Sequence, residues 1–226
     1  MDRSTHAPAH RRPDAAVIPF TQGLGDLRRP PQRRVGETHA AFFREVDRWS
    51  AVGADDVTQV LGVEETRDLV RDGYLLHWPS LIGGVMVLGP AAHRVIAPEE
   101  RPWIGSSTEA TNQAYVREGI KRLLAEGYTY GQPDEYGRHW IYAPDSRRWL
   151  VLGRCIGEGY SPRAIRSLLS QRRSHLLSQN AGLLVITPTL ARLSRLAAAH
   201  PHLIELYRLP LSAVQVGPRA VPPIHV

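Results

Sequence analysis

Apolar residues recur along this chain with two different periods, and the switches between them mark out the elements. Between His39 and Ser50, the residues Phe42, Phe43, Val46 and Trp49 fall on one stripe of a 3.6-residue helix. Asp55–Leu61 reads as a second short helix with Val57, Val60 and Leu61 apolar, and Gly62 breaks it. Glu64–Asp72 predicts a third helix that Gly73 ends. The pattern then shortens. Tyr74–Trp78 and Val85–Leu88 predict two strands, with Pro79, Ser80, Gly83 and Gly84 supplying a hairpin turn. Three helices followed by a hairpin is the order of a winged helix.

Pro98 and Pro102 mark a boundary, and Ser106, Ser107 and Thr108 offer a cap for the next helix. That helix, Thr108–Glu126, places Val116, Ile120, Leu123 and Leu124 on its apolar face. Three short strands follow at Tyr128–Gln132, Arg138–Ala143 and Trp149–Ile156, with turns at Gly137 and at Pro144-Asp145-Ser146. Ser161-Pro162 starts a long helix to about Ser178, with proline at its first position. A buried strand (Leu183–Thr187), a helix (Leu190–Ala199) and a last strand (Leu203–Leu209) complete the order α-β-β-β-α-β-α-β.

Charge divides the chain differently from hydropathy. The 226 residues carry a net charge of +6, and Lys121 is the only lysine among the basic residues. Arginine binds phosphate through a planar fork and stacks on bases, so the bias suits nucleic acid. A GC-rich genome would produce the same arginine-to-lysine ratio, but it does not explain where the charges sit. Residues 1–34 hold seven arginines against three aspartates among five prolines, and they read as a flexible basic tail. Residues 35–105 carry six arginines against eleven carboxylates. Residues 138–173 return to eight arginines against Asp145 and Glu158.

The stretch LGVEETRDLVRDGYLLHW followed by GGVMVLGPAAHRVI resembles the N-terminal module of replication-relaxation proteins and of AbiEi-type antitoxins. The element order over residues 108–210 resembles the PD-(D/E)XK nuclease-like core. Together these resemblances imply an α+β protein: a basic tail (residues 1–36), a winged helix-turn-helix domain (37–104), a mixed α/β nuclease-like domain (105–212) and a C-terminal tail (213–226). They also imply a setting in plasmid or phage replication, DNA processing or transcriptional control.

The acidic balance of the first domain argues against its third helix as the DNA reader. Glu64, Glu65, Asp68 and Asp72 outnumber Arg67 and Arg71, and a net negative helix is repelled by phosphates. The tip Ser80-Leu81-Ile82-Gly83 is apolar, and exposed Leu81 and Ile82 would suit a homodimer contact. Two readings stay open for this domain: a protein-protein scaffold, or direct DNA contact through Arg67 and Arg71.

On the long helix, Ile165, Leu168, Leu169 and Leu176 form the buried stripe. Arg163, Arg166 and Arg173 share the opposite face with Ser170 and Ser174. That face suits a phosphate backbone, supported by Arg147, Arg148 and Arg154; a merely solvated charged face is the alternative. Gly157-Glu158-Gly159-Tyr160-Ser161-Pro162 reads either as a phosphate-receiving helix start or as a tight glycine turn.

A PD-(D/E)XK site needs carboxylates for a divalent metal and a lysine beside them. Pro133-Asp134 supplies the PD pair. Leu152-Gly153-Arg154 stands where E-x-K belongs, so the acid and the lysine are both replaced. Glu118 and Asp145 are the remaining candidate acids. The expectation is therefore a binding core with no catalytic set, no metal site and no cofactor, with a metal-dependent DNA nuclease as the rival. His139 and Cys155 lack a third group to complete a nucleophilic site, and His200-Pro201-His202 lacks further ligands. The single Cys155 excludes an intramolecular disulfide. The first residues carry arginines but no apolar signal core, and no stretch is long enough to span a bilayer. The expected place is the cytoplasm, the expected partner is double- or single-stranded DNA, and no membrane is involved.

Overall fold

Helix α1 (Glu37–Trp49) forms where Ala40, Phe43, Val46 and Trp49 recur three residues apart and are all buried. The computed structural model describes residues 35–99, 105–134 and 137–214. The basic tail up to residue 34, the boundary residue Pro102 and the C-terminal tail beyond Val214 lie outside the described residues.

After α1 come a two-residue strand, β1 (Val52–Gly53), and helices α2 (Ala54–Leu61) and α3 (Val63–Arg71). Gly62 separates the two helices at φ +83°, a left-handed conformation that lets α2 turn directly into α3. Strands β2 (Leu75–Ser80) and β3 (Gly83–Leu88) form an antiparallel hairpin, paired from Leu75↔Leu88 to Ser80↔Gly83. The hairpin is longer than the sequence pattern suggests, because β2 runs through Pro79. Proline is tolerated there because the sheet order β1-β3-β2 makes β2 an edge strand. Helix α4 (Pro90–Ile96) follows, with Pro90 in its first turn and Ala91 and Ala92 buried.

Two side chains depart from expectation. Ile82 is buried at 9% exposure within the first core, so the hairpin tip does not offer a Leu81–Ile82 pair for a dimer contact; Leu81 alone is exposed. Val60 points outward at 67% exposure, beside Val63 at 61%, so α2 is held by buried Val57 with Ala54 and Leu61 packed partly buried against the same core.

The second half keeps the order read from the sequence. Helix α5 (Ser107–Ala125) is capped by the Ser106 hydroxyl, which accepts from the Glu109 amide at 3.2 Å. Strands β4 (Thr129–Gly131), β5 (Trp140–Tyr142) and β6 (Arg148–Gly153) form an antiparallel meander. A short 3-10 turn (Ile156–Glu158) then leads into α6 (Pro162–Ser178). Strand β7 (Ala181–Thr187), α7 (Ser194–Ala199), β8 (Ile204–Arg208) and the single turn α8 (Leu211–Val214) complete the described residues. Strands β6, β7 and β8 are parallel, giving a mixed sheet in the order β4-β5-β6-β7-β8.

Strand β7 is buried at all seven positions, as expected of a parallel strand covered on both faces. Leu184 and Ile186 face the first core with Tyr115, Val116 and Ile120 of α5. Leu183 and Val185 face a second core with Ile165, Leu169 and Leu176 of α6 and Leu196 of α7. Helix α5 lies very close to the sheet: a Cβ on Gly119 would stand 2.6 Å from Ile186 Cδ1.

The described residues belong to one compact unit, and the first core crosses the boundary marked by Pro98. Phe43, Val46 and Trp49 of α1 share it with Trp149 and Val151 of β6. Two polar joints reinforce the crossing. Asp56 of α2 accepts from Arg117 and from Lys121 of α5, the latter at 2.8 Å. The Trp49 ring stacks on His139 with centroids 4.5 Å apart. The protein is thus a mixed α+β structure with two sheets.

Candidate nucleic-acid interface

Helix α6 is positioned by its start and by its apolar stripe. The Ser161 hydroxyl accepts from the Ala164 amide at 3.1 Å, and Pro162 fills the first turn. Ile165, Leu169 and Leu176 then fasten it to β7, while Leu168 is half-buried. The opposite face follows from helical spacing. Arg163, Arg166, Ser170, Arg173 and Ser174 are all exposed along it, with Leu177 at its C-terminal end. Among the described residues no carboxylate pairs with Arg163, Arg166 or Arg173. Gly157 and Gly159, just before the helix, adopt φ of +69° and +85°, which accounts for both glycines as requirements of the turn.

The other arginines singled out by sequence have different surroundings. Arg147 lies over the Trp149 ring, 4.5 Å from its centroid, and donates to the His202 carbonyl. Arg148 lies 4.0 Å over the Trp140 ring and donates to Gln179 Oε1 at 3.1 Å. Both are half-buried, and their guanidinium groups are engaged in holding strand ends to neighbouring loops. Arg154, just beyond the end of β6, is exposed. On α3, Arg71 pairs with Asp68 at 2.8 Å and Asp72 at 3.1 Å, and Arg67 lies 3.9 Å from Glu64. The arginines of α3 are therefore met by carboxylates of their own helix and its C-cap, and Arg163, Arg166 and Arg173 of α6 are not.

The acids considered for a metal site are engaged elsewhere. Asp134 closes its own turn, accepting from the Arg138 amide at 3.0 Å, Arg138 Nε at 2.7 Å and Trp140 Nε1 at 3.3 Å. Glu118 takes Arg122 Nε at 3.0 Å and Lys121 Nζ at 3.2 Å. Asp145 accepts from the Arg147 amide at 3.0 Å, as an aspartate in a turn does. Leu152 and Gly153 bring no carboxylate to the end of β6, and a Cβ on Gly153 would meet Val116 at 2.5 Å. Among the described residues no group of three or more His, Cys, Asp or Glu side chains could hold a metal ion.

Cys155 and His139 do not form a reactive pair. The thiol contacts Asn112 Oδ1 at 3.6 Å, and burial pushes its pKa up to about 11. His139 meets the Tyr130 hydroxyl at 2.7 Å. Burial, with Arg48 adding to it, lowers its pKa to about 4, and Asp134 opposes the shift. Asp56 is also held below its usual range, for a different reason: burial pushes its carboxyl up, but Arg117 and Lys121 together outweigh burial.

Sequence reasoning passed over Arg192 and Arg195, which stand outside the 138–173 charge window. Both are exposed, on the same side of the sheet as α6, while Leu193 and Leu196 between and beside them are buried in the second core. Their neighbours alternate with apolar anchors, and that spacing was the available signal. Among the described residues, no helix is long and apolar enough to cross a membrane. No protein-family model, no curated protein and no solved structure matches the chain.

Proposed function

We propose that this chain binds DNA chiefly through the phosphodiester backbone, held against the outer face of α6. The observation that carries the reading is the contrast between two helices. Arg163, Arg166 and Arg173 are exposed on one face with no carboxylate partner among the described residues, whereas Arg67 and Arg71 are met by Glu64, Asp68 and Asp72. A guanidinium already paired has less to gain from phosphate than one that faces only water. Arg154, exposed just before α6, extends the surface, whereas Arg147 and Arg148 are engaged with Trp149, Trp140, His202 and Gln179.

The order α1-β1-α2-α3-β2-β3, with β1 on β3, supports a winged helix. The meander β4-β5-β6 followed by parallel β7 supports a nuclease-like α/β domain. By resemblance, the setting is plasmid or phage replication, DNA processing or transcriptional control. A second reading, a winged-helix adaptor for another protein, is favoured by exposed Val60 and Val63 at the α2–α3 turn.

Electrophoretic mobility shift at low salt separates these readings. Arg163, Arg166 and Arg173 changed together to Ala should weaken DNA binding by about tenfold or more, each phosphate contact contributing a fraction of that. Arg67 and Arg71 changed to Ala should cost far less. The reverse ranking would move the contact to α3, and no DNA binding by the unaltered chain would leave the adaptor reading in place.

A further inference from the structure

From Gly159 to Ile204 the sequence contains no aspartate and no glutamate, yet it contains six arginines. This stretch is one structural layer: α6, then β7, then α7. Strand β7 is wholly buried, so the solvent surface of the layer belongs to the two helices and their connections. Both helices cover the same face of the sheet, where Ile165, Leu169, Leu176 and Leu196 share the second core. The arginines Arg163, Arg166 and Arg173 of α6 and Arg192 and Arg195 at the start of α7 are exposed on that side.

The same layer is poor in flat rings. Tyr160 is its only Phe, Tyr or Trp, and it is half-buried against the second core. Proteins that grip single strands do so largely by stacking unpaired bases on exposed aromatic side chains, with cations tracking the backbone. A duplex hides its base faces and presents regularly spaced phosphates instead. A surface with exposed arginines and no exposed Phe, Tyr or Trp between Gly159 and Ile204 is matched to the second ligand.

The spacing fits. Arg163 and Arg173 are ten positions apart on α6, about 15 Å along the axis at 1.5 Å per residue. At about 3.4 Å of axis per phosphate on one strand, that length covers roughly four phosphates of B-form DNA. Arg192 and Arg195 offset this row sideways, toward a further stretch of backbone.

Resting on the reading of α6 given above, we infer that the α6–α7 layer takes double-stranded rather than single-stranded DNA, and that Arg192 and Arg195 extend its footprint. The test is fluorescence anisotropy of the full chain with a mixed-sequence duplex of about 24 base pairs, roughly two helical turns, and with each of its strands alone, over a salt series. The expected result is tighter binding of the duplex at every salt concentration. Arg192→Ala with Arg195→Ala should lower the magnitude of the slope of log affinity against log salt by about 1 to 2 on the duplex. Single strands bound as tightly as the duplex, or an unchanged slope in the double variant, would overturn this inference while leaving the α6 reading standing. Salt-insensitive binding, or none, to both forms would sink the α6 reading itself.

Discussion

Packed on Trp49 and hydrogen-bonded to Tyr130, His139 is neutral at pH 7 because burial has carried its pKa down to about 4. In the unfolded chain the same imidazole protonates near pH ~6.5. Between these two values the unfolded state binds more protons than the folded one, so stability rises with pH. The contribution is complete above about pH 6.5 and is lost as pH falls toward about 4, with a full amplitude of about 3 kcal/mol. Urea denaturation should therefore show a lower midpoint at about pH 5 than at about pH 7. His139→Phe, which keeps an aromatic ring beside Trp49, should shrink that difference; an undiminished difference would show that another group carries it. Asp56 acts in a separate window. Its carboxyl is held below the usual value, so its contribution is present above about pH 4 and is lost only as pH falls below it.

At the scale of elements, Asp56 is the polar joint between α2 and α5. It receives Arg117 and Lys121, whose side chains are only 14% and 10% exposed. Asp56→Asn leaves two largely buried cations with one fewer counter-charge and should cost about 2 to 3 kcal/mol, less than a fully buried pair because the aspartate is partly solvated. Chemical denaturation measures the loss; a cost near zero would contradict a stabilising role for the Asp56 joint.

This joint was not legible in the sequence, because its members lie more than sixty positions apart and nothing local pairs them. What was legible is local. The Ser161-Pro162 start, the Ser106 cap and the three-residue recurrence of Phe43, Val46 and Trp49 each act within a few turns of chain, and each helix forms where they stand. Strand β1 was missed because two residues cannot display an alternation. Ile82 was misjudged because the pleat that sets side-chain direction in a strand does not extend into a two-residue turn. Arg147 and Arg148 looked like surface cations because composition does not reveal that Trp149 and Trp140 lie beneath them. On α6, by contrast, helical spacing separates Arg163, Arg166 and Arg173 from Ile165, Leu169 and Leu176, although Leu177 is exposed on the arginine side and Arg172 is half-buried.

Across the whole molecule, charge and fold are arranged at cross purposes. The half whose helices and hairpin most invite a DNA-reading interpretation carries an excess of carboxylates over residues 35–105, and the arginines of its third helix stand next to carboxylates. The half built around the mixed sheet exposes Arg163, Arg166 and Arg173 on α6, within a stretch of chain that has no carboxylate. A continuous core and the Asp56 joint tie the two together, with the first half on the face of the sheet opposite α6. Counterion release on binding reports whether α6 meets phosphates. The slope of log affinity against log salt for duplex DNA should fall in magnitude by about 2 to 3 when Arg163, Arg166 and Arg173 are changed together to Ala, close to one phosphate per arginine. A triple variant with the same slope as the unaltered chain would contradict that contact.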